Sequence, residues 1–181
     1  MIDYPRMINP AASLATEDEA ATAARAGAIA AFLLAASGAM SALIMIATAD
    51  SYAAKLRRVT ETMYGAGSEA AQMTAGMMTP ALVYMSAAMG LAFAAGILVL
   101  GVVQWRKLTR PIPLILGLFT AYSLLMLVLN LVNGNPAAAA MQFPIWRQAL
   151  AVVVDLAVIV LCYGGFRGAS RLVKLRREAA A

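Results

Sequence analysis

The sequence is 181 residues long, 62% hydrophobic and 13% charged, with a mean hydropathy of +0.78. A soluble domain carries about 25% charge, so the composition belongs to a membrane protein. With no histidine and one cysteine, Cys162, the chain lacks the usual haem ligand and general base, and any intramolecular disulfide or multi-cysteine metal site. The net charge of +5 comes without a soluble basic face carrying stacking aromatics, which excludes nucleic acid as an expected partner.

Residues 1–25 read as a polar cytoplasmic segment with Pro5 and Pro10. Within it, Thr16-Glu17-Asp18-Glu19 has the form of a helix start, a threonine cap followed by acids that suit the positive end of the helix dipole. The first span is expected at about 26–49. Ala47-Thr48-Ala49 fits a signal-cleavage pattern, but the apolar run is too long and its flank too acidic, so a retained span is expected.

The outer loop, 50–79, places Tyr52, Leu56, Val59 and Met63 on one helical stripe with Lys55, Arg57, Arg58 and Glu61 off it. That spacing predicts an amphipathic helix at the outer surface. Gly65 and Gly67 should end it, and Ser68-Glu69 should begin a second short helix. Thr79-Pro80 caps a second span at about 81–104, closed by Trp105 at interfacial depth. A tight basic loop, Arg106 to Arg110, leads to a third span at about 112–132, stopped by Asn133-Gly134-Asn135-Pro136. Phe143-Pro144 opens an aromatic interfacial entry to a fourth span at about 147–166, followed by a basic cytoplasmic tail, 167–181. The expected fold is all-α, an integral membrane four-helix bundle occupying 26–166. Ten of the 14 bases fall on the side of the termini, which predicts N-in, C-in topology. The alanine richness and the lack of a disulfide point to a bacterial inner membrane.

Chemistry is sparse. Asp155 lies at the middle of the fourth span, where a carboxylate costs about 2.5–3.5 kcal/mol on insertion scales. Tyr122, Ser123 and Asn130 lie in the third span, and Ser37 and Ser41 in the first. Bundling is expected to turn these polar groups inward, since lipid cannot satisfy them. Asp155 then has three readings: a proton or cation relay, a protonated brace between helices, or a contact with a partner subunit. Ala88, Ala92 and Gly96 repeat every fourth residue in the second span, as a helix-packing face within the bundle or a docking face for another subunit. Arg167, Arg171, Lys174, Arg176 and Arg177 are expected to contact anionic headgroups. The outer half is rich in methionine, and thioethers bind Cu(I), but methionine also fills apolar gaps and no histidine or cysteine accompanies it there. No cofactor is expected. Without a nucleophile motif, a phosphate loop or paired carboxylates, the sequence points away from an enzyme. It points to an accessory or scaffolding subunit of a membrane complex, with a small proton- or cation-coupled transporter using Asp155 as the alternative.

Overall fold

The computed structural model describes residues 13–133 and 145–180. The start of the N-terminal segment, the turn at 134–136, Met141 and the Phe143-Pro144 entry lie outside the described residues, as do the side chains of Asn130 and Arg147. Six helices make up the described chain: α1 (Glu17–Ala47), α2 (Ala49–Tyr64), α3 (Glu69–Met77), α4 (Pro80–Lys107), α5 (Pro111–Val132) and α6 (Ile145–Ala180). Four of them, α1, α4, α5 and α6, are long and apolar enough to cross a membrane.

The helix starts follow local chemistry. Thr16 Oγ1 accepts from the Glu19 amide at 3.2 Å, while the Glu19 carboxylate accepts from the amides of Ala15 and Thr16 at 2.9 and 3.3 Å. This capping box satisfies donors that the first turn leaves without partners, and the acids of that turn oppose the dipole. Ser68 caps α3 and Thr79 caps α4, whose first residue is Pro80. Gly65 and Gly67 both adopt positive φ, +85° and +82°, which ends α2 where a side chain would be strained. Between α4 and α5, Leu108 takes the left-handed conformation, and Thr109 Oγ1 donates to Gln104 Oε1 at 2.9 Å across the turn.

Two boundaries differ from expectation. The helix that Thr16 starts runs on into the first span, so α1 begins at Glu17 rather than near 26 and buries Ala20, Ala23 and Ala24. The tail after residue 166 is not a separate element either, because α6 continues through Gly164 and Gly165 to Ala180. Glycine inside a helix costs about 1 kcal/mol against alanine. Close backbone contact with α1 offsets that cost here, since a Cβ on Gly165 would lie 2.5 Å from the Gly27 nitrogen.

α1 is the centre of the assembly. It packs against α4 on one side and α6 on the other, and α5 leans mainly on α6. Its buried face is almost entirely alanine, from Ala20 through Ala35, joined by Ile97, Leu116, Val158 and Cys162. Small side chains let helix backbones approach closely, and in lipid such van der Waals packing is the main source of helix association. A second, smaller core joins Ala49 and Ala53 of α2 to Val83 of α4, with Met45, Tyr52 and Leu56 beside it. α2 thereby turns part of its apolar stripe onto the spans and leaves Lys55, Arg57, Arg58 and Glu61 exposed.

Candidate functional site

Asp155 lies one turn before Ile159 and two before Cys162 on the same stripe of α6. Those two residues line a shallow groove with Pro113, Gly117 and Ala121 of α5. By register, Asp155 sits on the continuation of that α5–α6 seam towards the start of α6. Its side chain is half-buried and makes no hydrogen bond or ion pair among the described residues.

Of the polar groups predicted to surround it, the four whose side chains are described do not converge. Tyr122 is 61% exposed, and Ser123 is exposed beside it. Ser37 and Ser41 face a different groove, between α1 and α6, with Met40, Trp146, Leu150 and Val154. Asp155 follows Val154 by about 100° and lies one turn after Ala151, which also lines that groove, so the acid stands at its edge and is not among its lining residues. The expected inward polar cluster is therefore not formed by these residues. The physical reason is that the spans are drawn together by their alanine and glycine faces, leaving polar faces wherever the helix register puts them. A span hydroxyl also needs no neighbouring helix. Thr120, fully buried, donates to the Leu116 carbonyl at 2.9 Å, and Thr48 donates to Ile44 at 2.7 Å.

Ala88, Ala92 and Gly96 form a row as their spacing predicts, but the row does not pack within the bundle. All three are exposed, and a Cβ on Gly96 would meet nothing within 4 Å. α4 packs instead through Val83, Ala87, Ala94, Ile97, Gly101 and Gln104. Both faces are rich in small residues. The inner one also fits the ring of Phe32 against Gly101, where only a glycine leaves room.

The end of the bundle that carries the basic loop and tail holds contacts that the sequence reading did not single out. Gln104 is 0% exposed and donates from Nε2 to the Ala24 carbonyl at 3.3 Å, tying α4 to α1. Arg25 stacks its guanidinium 5.6 Å from the Trp105 ring centroid, and its Nε is buried without a hydrogen bond. Cation–π attraction favours that stacking in a partly desolvated setting. Gly165 and Gly168 of α6 lie against the backbone of α1 at Gly27 and Ala24. The Gly-x-x-Gly spacing after a second glycine was the available signal for this contact. The lone glutamine in an otherwise apolar run was the signal for Gln104.

The bases of the tail separate into different settings. Arg171 donates from Nε to the Leu14 carbonyl at 3.0 Å, and Arg110 reaches the Ser170 carbonyl at 3.1 Å. Arg176 pairs with Glu17 at 2.6 Å, and Lys174 lies 3.9 Å from Glu178. Arg167, Arg171 and Lys174 line one groove, whereas Arg176 and Arg177 do not. Among the described residues, no three of the metal-ligating acids and cysteine come together.

In comparison with known proteins, no family model, curated protein or solved structure matches the chain.

Proposed function

We propose that this chain is a non-catalytic, multi-pass membrane protein acting as an accessory or scaffolding subunit of a membrane complex. It sits in a bacterial inner membrane with both termini in the cytoplasm. The observation that carries the reading is Asp155, half-buried in the seam and without a polar partner among the described residues. An intramembrane acid persists where something satisfies it, and a helix of another subunit laid along the seam supplies that group. The outward row of Ala88, Ala92 and Gly96 supports the same reading, because it offers a second face for close helix contact. The orientation rests on the excess of bases on the side of the termini. In that orientation α2 lies at the outer surface, its charges to water.

The relay reading has less support, since Tyr122, Ser123, Ser37 and Ser41 do not gather around the acid. Asp155→Asn separates the two. If a partner donor meets Asp155, the variant folds normally, while a subunit that co-purifies with the wild-type chain after gentle extraction is weakened or lost in native mass spectrometry. A wild-type chain that extracts alone, with a pH-driven flux in liposomes that Asp155→Asn abolishes, would overturn the subunit reading in favour of transport.

A further inference from the structure

At the basic end of the bundle, the residues just before α1 and the last turns of α6 enclose a groove of about 600 Å³, lined by Ser13, Leu14, Ala15, Arg167, Ser170, Arg171 and Lys174. Three of the seven lining residues are cations and none is an acid. Arg110 adds a fourth cation at the rim by bonding the carbonyl of Ser170. Of the nearby acids, Glu17 pairs with Arg176 and Glu178 with Lys174, while the Glu19 carboxylate is engaged by the amides of Ala15 and Thr16. The hydroxyls of Ser13 and Ser170 supply neutral donors at the same wall.

The groove is also built rather than incidental. Arg171 is fixed by its Nε bond to the Leu14 carbonyl, which pins the segment before α1 against α6. The same bond leaves the terminal nitrogens of its guanidinium to face a ligand. Arg167, Arg171 and Lys174 recur at i, i+4 and i+7, so one face of α6 presents all three to the groove. A guanidinium fork and an ammonium with hydroxyl donors beside them match the oxygens of a phosphate group better than a lone carboxylate.

We propose that this groove seats a phosphate-bearing group, and that it selects Arg167, Arg171 and Lys174 from among the five tail bases. The inference stands independently of the subunit reading. It places a defined anion seat where the apolar helices give way to charge, the level at which lipid phosphates lie. Two sources share this chemistry, the headgroup of an anionic phospholipid and a soluble phosphate.

The test uses the full chain in a neutral detergent with phosphatidylglycerol or phosphatidylcholine titrated into the micelles, and separately with inorganic phosphate. Retained lipid is counted by native mass spectrometry, and phosphate binding is followed by phosphorus NMR. Lys174→Glu and Arg177→Glu carry the same charge change on the same helix, and both positions are exposed, so neither change disturbs packing. Lys174→Glu is expected to weaken saturable binding about tenfold, and Arg177→Glu by less than about twofold. Binding of phosphatidylglycerol that inorganic phosphate does not displace identifies a lipid headgroup as the source. Saturable inorganic phosphate binding with the same dependence on Lys174 identifies a soluble phosphate. Equal losses in both variants, no loss in Lys174→Glu, or no saturable binding of either probe would overturn the proposal.

Discussion

The two halves of the bundle are held by different means. At the end carrying the basic tail, α1 and α6 meet backbone to backbone through Gly27, Gly165, Gly168 and the alanines from Ala20 to Ala31. Gln104 and Pro113 close that contact from α4 and α5, both fully buried. At the other end the same two helices separate. Ala35 and Ala42 are the buried residues of the second half of α1, and a groove lined by Ser37, Ser41, Trp146 and Leu150 opens between α1 and α6. Large side chains such as Met40, Leu43, Leu150 and Val153 point outward there. Apolar bulk gives no advantage to helix–helix contact in lipid, because the lipid is equally apolar. What distinguishes the tight half is close approach and hydrogen bonding, not hydrophobicity. Asp155 belongs to the open half, and the phosphate groove belongs to the tight one.

The contrast breaks most directly at the glycines. Gly165→Val forces a side chain onto the backbone of α1, and is expected to destabilise the bundle by at least about 3 kcal/mol or prevent its folding. Gly96→Val, with the same change in helix propensity, points into open space and is expected to keep the melting temperature of the isolated chain within about 2 °C. Comparable losses in the two variants, measured by thermal unfolding in detergent, would show that the halves do not differ.

Gln104→Leu removes the bond to Ala24 and leaves the Thr109 hydroxyl without its acceptor. The expected loss is about 1–2 kcal/mol, seen in denaturant titration followed by circular dichroism. No measurable loss would mean that packing alone holds α4 to α1. Next in size is Thr16→Ala, which dissolves one half of the capping box. It is expected to cost about 1 kcal/mol and to raise hydrogen exchange at residues 17–20 while leaving the middle of α1 protected. The smallest effect is expected from Arg176→Gln. The Arg176–Glu17 pair is short but its side chains are more than half exposed, so the loss should be about 0.5 kcal/mol at low salt and vanish in 0.5 M salt. A larger, salt-resistant loss would place that pair inside the tight half rather than on its rim.

The helix ends were legible because their causes are local. Thr16 with Glu19, Ser68, Thr79 with Pro80, and the two positive-φ glycines each act within four residues of where they stand, and each end falls within a residue or two of its expected place. The end of the last helix, expected near 166, was misplaced for the complementary reason. Read locally, two glycines weaken a helix, while in the folded chain they let α6 touch α1. Ser37, Ser41, Tyr122 and Ser123 were identified as polar positions within the spans, but the direction in which each one looks was not a local property.

What the sequence determined by itself was the number and order of the apolar helices, the chemistry of their caps and the placement of basic charge. Hydropathy and capping act along the chain, so they can be read along it. What the tertiary structure alone decided was which side of each helix became the inside. α1 is alanine and other apolar residues around most of its circumference, and α4 carries small residues on two faces, so neither has a pattern that names its partner. The choice between Ala88-Ala92-Gly96 and Ala87-Ala94-Gly101 was settled by fit, with the Phe32 ring lying against Gly101 and Gln104 reaching the Ala24 carbonyl. Steric fit between distant segments has no signature in either segment alone.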